Sequence, residues 1–383
     1  MAFNITNLVN AINAKSATVG ADSALDKAVL LASNVKNALI YSSLVDLPTA
    51  DSSNQGDLVR IGASFGADTN YYVSHRDRWN LIDLSDTGSI VVGQYRPFQG
   101  TNYGFVTGGS STDITKFPFA SDGNATDLGD LTQSAALYSG QSSETHGYCT
   151  DTTSGNKIEK FPFTSNANAT DIGNLPQASF GAGGGQSSST HGYTAGGRFT
   201  YIQKFSFTTD GDATTNSGGL AVSTSAVAGQ SDAINAFGYV TGGTILPSTV
   251  RNDIQKFSFA SEAAATDIGN LTEGRFYMSG QSSETHGYTT GGQNGYSGPT
   301  LSTNSDRIDK FSFSSNGNAT DVGNLLQAKY GGSAGQSSTV SGYTSGGSPT
   351  TYHIEKFPFS TDADATDVGD LVTNRVYMTG QQY

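Results

Sequence analysis

Short segments in which apolar and polar residues alternate dominate the chain from about residue 90 onward, and one of them returns six times. The hexapeptide Ile-x-Lys-Phe-(Pro/Ser)-Phe stands at 114–119, 158–163, 202–207, 254–259, 308–313 and 354–359. Along a strand, successive side chains point to opposite faces, so Phe311 and Phe313 share one face while Ile308 and Lys310 share the other. Apolar side chains on both faces predict a strand packed from both sides, which a sheet with one wet face does not require.

Three companions recur around each hexapeptide in fixed order. A strand ending in Gly-Gln comes first, at Gln94, Gln141, Gln186, Gln230, Gln281, Gln336 and Gln381. A second strand follows, clearest as Thr285-His286-Gly287-Tyr288-Thr289-Thr290-Gly291-Gly292. The hexapeptide is the third, and Ala-Thr-Asp-x-Gly-(Asn/Asp)-Leu, as at 319–325, is the fourth, broken only in the third repeat at 213–220. Four short strands repeated every ~44 to 55 residues predict an all-β propeller, one unit per blade.

Seven Gly-Gln strands accompany only six copies of the other three. The favoured count is therefore seven blades, the first of them divergent and built from 56–84; six blades plus a separate small β module is the alternative. The domain reading is an N-terminal helical attachment segment at 1–43, a small β module or divergent first blade at 44–85, and propeller repeats at 86–383. In the first of these, Leu8, Val9 and Ile12 line one face of a short helix, and Leu25, Ala28, Ala32, Val35 and Leu39 line a second at heptad-like spacing.

With a strand closed by a Gly pair (Gly242-Gly243, Gly291-Gly292), then an aromatic third strand and a fourth strand leading to a variable connector, the repeat resembles the kelch-type propeller. It departs from that pattern in lacking a fourth-strand Trp, where Leu stands instead. Separately, Leu47-Pro48-x-Ala50-Asp51, Gly56-Asp57-Leu58-Val59, Tyr71-Tyr72-Val73 and Trp79-Asn80-Leu81-Ile82 resemble a small β module that recurs in bacteriophage tail and fibre proteins. That second resemblance implies a virion protein of the tail or its fibres.

Composition narrows the partners. A formal net charge of −13 over 383 residues lacks the basic footprint that phosphate backbones or anionic membranes demand. The start, Met1-Ala2-Phe3-Asn4-Ile5-Thr6, has no basic and apolar leader pattern, and the longest apolar run, 28–32, is too short to span a bilayer. Cys149 is the single cysteine and reads as a small buried residue.

Candidate chemistry is thin. His146, His191 and His286 occupy equivalent positions in different repeats, so they lie on a ring rather than around one metal-sized point. Asp362, Asp364 and Asp367 lack the Gly and final Glu of a calcium loop and read as a solvated turn. The expectation is therefore no catalytic residue, no metal and no cofactor. Lys116, Lys160, Lys256, Lys310 and Lys356 are expected to pair with Asp127, Asp171, Asp267, Asp321 and Asp367 of the same blade, leaving Lys204 of the third repeat without such a partner.

Variation lies in the link between second and third strands, which is longest in two consecutive repeats, at 244–253 and 293–307. Insertions collected on one face mark a binding face, and Arg251, Asn252, Gln293, Asn294, Tyr296 and Arg307 are the candidate contacts. The functional expectation is a non-enzymatic virion structural protein, localised to the phage tail. Its helices would join other virion proteins in an oligomeric assembly, and its propeller would present a surface to protein or host glycan. A secreted carbohydrate-processing propeller enzyme is the alternative.

Overall fold

The computed structural model describes residues 99–383, apart from 135, 137, 152–154, 179–180, 182, 233–234, 246–248, 296–302, 330 and 350–351, together with five backbone strands between 39 and 92. Two compact units divide at Arg96 and Pro97.

The first unit carries one five-stranded sheet whose strands pair in chain order: Leu39–Tyr41, Leu58–Ile61, Asn70–Ser74, Trp79–Leu84 and Ile90–Val92. The first pair is parallel and the rest antiparallel. Leu39, expected at the end of a helix, opens a strand instead; the rest of the expected helical segment lies outside the described residues.

The second unit is a six-bladed β-propeller of four-stranded antiparallel sheets. From the axis outward, blade 2 pairs Tyr138–Ser142, His146–Asp151, Lys157–Pro162 and Thr170–Asn174. Blade 3 pairs Gly184–Ser187, His191–Ala195, Ile202–Ser206 and Thr214–Thr215, and blade 4 pairs Ala228–Asp232, Phe237–Ile245, Thr249–Ser258 and Thr266–Asn270. Blade 5 pairs Ser279–Ser282, His286–Thr290, Ser305–Ser312 and Thr320–Lys329. Blade 6 pairs Ala334–Ser337, Ser341–Ser345, His353–Pro358 and Thr366–Asp370.

Blade 1 settles the count. Its inner strand is the C-terminal segment Met378–Gln382, which pairs with Tyr103–Gly108, Asp113–Pro118 and Thr126–Asp130. The favoured seventh blade is thus corrected to six. The last Gly-Gln strand completes blade 1 from the other end of the chain, and Ile90–Val92, which the seven-blade count needed there, bonds to Trp79–Leu84 in the separate sheet. The first propeller strand in chain order is Tyr103–Gly108.

Adjacent blades meet through one repeated joint. The second-strand aromatic of each blade lies against both hexapeptide phenylalanines of the next. Tyr148 is centred 5.3 and 4.8 Å from Phe205 and Phe207, and Tyr343 lies 5.4 and 4.8 Å from Phe117 and Phe119. Each such contact contributes about 0.5–1.5 kcal/mol beyond area burial. The hexapeptide Ile faces the other way: Ile158 joins Tyr148, Leu175, Phe205 and Ala213. Both faces of the strand are therefore buried, as the alternation implies.

Near the axis the Gly-Gln pair does two jobs, because its side chains point to opposite neighbours. A Cβ on Gly140, Gly185, Gly229, Gly280, Gly335 or Gly380 would come within 3.0 Å of the carbonyl oxygen of the equivalent glycine in the preceding blade. Only glycine permits that approach. The glutamine reaches forward: Nε2 of Gln141, Gln186, Gln230, Gln281, Gln336 and Gln381 donates to the carbonyl of Tyr193, Tyr239, Tyr288, Tyr343, Phe105 and Tyr148, at 2.9–3.1 Å. The result is a closed ring of six buried inter-blade hydrogen bonds.

Candidate functional site

In this ring the first-to-second and third-to-fourth turns share one end, the turn end, and the remaining connections share the other, the loop end. The chain enters at the turn end, where Gln99 Nε2 donates to Ser282 O at 3.1 Å and Gly100 N donates to Ser337 O at 2.8 Å.

The turn end is where the repeated lysines act, and the pairing differs from expectation. Five of the six reach across to the third-to-fourth turn of the next blade, and Lys256 instead lies over aromatic rings of its own blade. Lys160 pairs with Asp210 at 2.7 Å, Lys310 with Asp362 at 2.6 Å, and Lys356 with Asp122 at 2.8 Å. Lys116 donates to Asn166 at 3.0 Å, and Lys256 lies 4.0 Å over the Phe237 ring. Lys204, expected to lack a partner, pairs with Glu262 at 2.7 Å. The expected same-blade aspartates are occupied locally: Asp127, Asp171, Asp267, Asp321 and Asp367 each accept the N–H of the glycine two residues on, at 3.1–3.3 Å. An aspartate that closes its own turn holds its carboxylate at that turn, so the lysine takes the acid that the neighbouring blade brings to it.

His146, His191 and His286 are half-buried on the same end, each with Nδ1 2.8 Å from the hydroxyl of the preceding Thr. Burial first, and then the neighbouring lysine, lowers each imidazole below its ordinary value. Cys149 is buried, bonds the Thr107 hydroxyl at 3.0 Å, and has its thiol pushed well up by burial. Asp362, Asp364 and Asp367 have separate partners in Lys310, Asn324 and His353. Among the described residues, no three His, Cys, Asp or Glu side chains are grouped to hold a metal.

The loop end is where the blades differ. Four residues after the fourth-strand Leu, the connectors leaving blades 4, 5 and 6 carry Arg275, Lys329 and Arg375, where the first three have Ala135, Ser179 and Thr224. All three cations are buried. Arg275 pairs with Asp309 at 2.7 Å and Lys329 with Glu355 at 2.6 Å, both pairs sealed from solvent. Arg375 instead bonds the carbonyls of Gly108 and Asp113 and the hydroxyl of Thr115, which stands where the other two have a carboxylate. Burial lowers both Lys329 and Arg375, against the pull of nearby acids.

The two long loops stand side by side, stitched by the connector between them. Arg275 N donates to Arg251 O at 3.0 Å, and Phe276 exchanges main-chain bonds with Gln293 at 2.9 and 3.0 Å. The first loop is a continuation of the blade 4 hairpin. Of the expected contacts, Arg251 is held by Asp253 at 2.6 Å, and Asn252 O accepts Leu271 N at 2.6 Å. Asn294 Oδ1 accepts from Thr303, and Arg307 spans Asp321 at 3.0 Å and Glu273 at 3.5 Å. Tyr296 lies outside the described residues. The loop residues are thus brought together, with their charged heads largely tied to one another.

Closer to the axis lie residues that the loop argument passed over. Tyr277 and Tyr377, each four residues before the glutamine of its strand, meet edge to face with ring centres 5.1 Å apart. They line the axial cavity of about 80 Å³ with Val227, Met278, Met378 and Ser333. Their recurrence at Gln minus four was the available signal.

Neither a family model nor a curated protein matches the chain. The solved structure titled "Structure of YjhT" superposes with a TM-score of 0.52 at 13% identity, covering 66% of this chain and 91% of that one. At that identity the likeness concerns the fold alone. No helix among the described residues is long and apolar enough to cross a membrane.

Proposed function

We propose that the protein is a non-enzymatic structural component of a bacteriophage virion, in the tail or its fibres, whose propeller displays its loop end to a neighbouring protein or a host-surface glycan. One observation carries the display half of this reading. The glutamines common to the blades and five of the six repeated lysines are taken up in inter-blade bonds, while blade-specific polar residues with exposed side chains, Asn294 and Arg307, stand at the loop end. A scaffold built this way leaves chemistry to its loops.

The virion half rests on the resemblance in residues 47–82, and a self-contained sheet in that region, in a compact unit of its own, supports it. The proposed display face is the loop end, opposite the turn end at which Gln99 and Gly100 bond Ser282 and Ser337. On this reading the N-terminal segment attaches the chain to other virion proteins in an oligomeric assembly. The kelch-type resemblance belongs to the same reading, and the left-handed Gly242-Gly243 and Gly291-Gly292 pairs support it.

Immunogold electron microscopy tests it. Antibody against the loop end should decorate one end of particles from the native source. A soluble monomer that turns over oligosaccharides, with no particle labelled, would overturn it in favour of a sugar-processing enzyme.

A further inference from the structure

The residue four places before the axial glutamine has a left-handed backbone in four described connectors, with φ of 56° at Ala226, 58° at Tyr277, 58° at Gly332 and 61° at Tyr377. Glycine or a small residue suits that conformation, and a bulky aromatic there is an outlier that strains the main chain. Two of the six connectors nevertheless place tyrosine at this point. Gly332 lies between the two in ring order, and its missing side chain lets them touch: a Cβ there would lie 3.0 Å from Tyr377 Cα.

Below the pair, the cavity wall contains Gly, Ala, Val, Met, Ser, Thr and Gln, with no charged side chain among the described residues. Thr379 Oγ1 stands beside Gly140, and the hydroxyls of Ser279 and Ser333 bond each other, Ser279 also donating to Ser333 O at 2.8 Å. At about 80 Å³, against roughly 150 Å³ for a cavity that takes a benzene ring, it is too small for a whole sugar but large enough for a hydroxymethyl arm. An aromatic lip over an uncharged, hydroxyl-rich recess fits a ligand with an apolar ring face and neutral polar edges. It offers an acidic ligand no counter-charge.

We propose that the loop-end mouth of the axis binds a neutral pyranose unit, its ring face on Tyr277 and Tyr377 and one arm in the cavity. This rests on the loop end being the display face and locates the contact at the axis rather than in the two long loops.

Saturation-transfer NMR on the full chain with neutral methyl pyranosides, alongside an array of neutral and acidic glycans, tests it. Tyr277→Gly/Tyr377→Gly should keep the fold, since glycine adopts this backbone freely, and should weaken saccharide binding at least tenfold. Arg251→Ala/Arg307→Ala should leave binding intact. Binding that survives the tyrosine changes and vanishes with the arginine changes would overturn the axial site while leaving the display face standing. No saccharide bound by the unaltered chain, when labelled particles still show the loop end outward, would overturn the glycan assignment alone. Should the double variant unfold, the single variants Tyr277→Gly and Tyr377→Gly supply the second measurement: weakened saccharide binding in either supports the site, and unchanged binding in both overturns it.

Discussion

Gln141 Nε2 lies 2.9 Å from the main-chain oxygen of Tyr193 in the next blade, and both residues are sealed from solvent. The same amide also reaches the Thr194 hydroxyl at 3.0 Å. Gln141→Leu keeps the approximate volume but leaves the Tyr193 carbonyl without this partner in a dry joint. Such a loss costs about 1–3 kcal/mol. Equilibrium urea unfolding should show a lower midpoint by that amount with an unchanged slope; an unaltered midpoint would mean the amide ring contributes nothing net.

The glycine that precedes each of these glutamines is a packing requirement. Gly335→Ala drives a methyl group into the Gly280 carbonyl, and main chain on both sides of the joint has no rotamer with which to yield. Overpacking of this kind costs about 1–3 kcal/mol or more. Gly123→Ala is the matched control, because nothing lies within 4 Å of its Cβ. Thermal unfolding should show a clear drop for the first and almost none for the second.

Much of this was legible in the sequence because a repeat states its own periodicity: six hexapeptides and their alternation define blades packed on both faces. The blade count was not, since pairing of Met378–Gln382 with Tyr103–Gly108 joins segments separated by nearly the whole propeller, and local pattern carries no information about which strand closes a ring. The lysine partners were missed for a related reason. Lys310 and Asp321 are near in sequence, but Asp321 closes its own turn, and Asp362 is brought to the lysine by the next blade. The loop candidates were visible as insertions, whereas Tyr277 and Tyr377 were hidden inside connectors of ordinary length.

Lys329 and Glu355 form an ion pair sealed from solvent on both sides, with Glu355 also accepting the Leu326 N–H at 2.8 Å. Removing the cation strands a carboxylate where water cannot reach it. Lys329→Met should therefore destabilise by about 3–5 kcal/mol, and adding Glu355→Gln should recover most of the loss, because a buried pair costs far more to break than to replace whole. Denaturant midpoints for the single and double variants give the comparison. Equal destabilisation in both would show that the stranded charge is not the cause.

His146, His191 and His286 set an acid limit on the turn end. Each folded-state value is lowered from 6.5, chiefly by burial and secondarily by Lys160, Lys204 or Lys310. Between the folded and unfolded values the unfolded chain binds more protons, so stability is fully present above 6.5 and is lost as pH falls from there through the lowered folded values. Below both values the loss is complete and the curve should flatten, apart from the carboxylates. The triple variant His146→Gln/His191→Gln/His286→Gln should remove this step while preserving a neutral polar group beside each Thr hydroxyl. Urea midpoints measured from pH 7.5 to pH 5 should fall in the parent and stay nearly level in the variant. An identical fall in both would place the acid sensitivity in other groups, with the Lys–acid pairs of the same end the first to test.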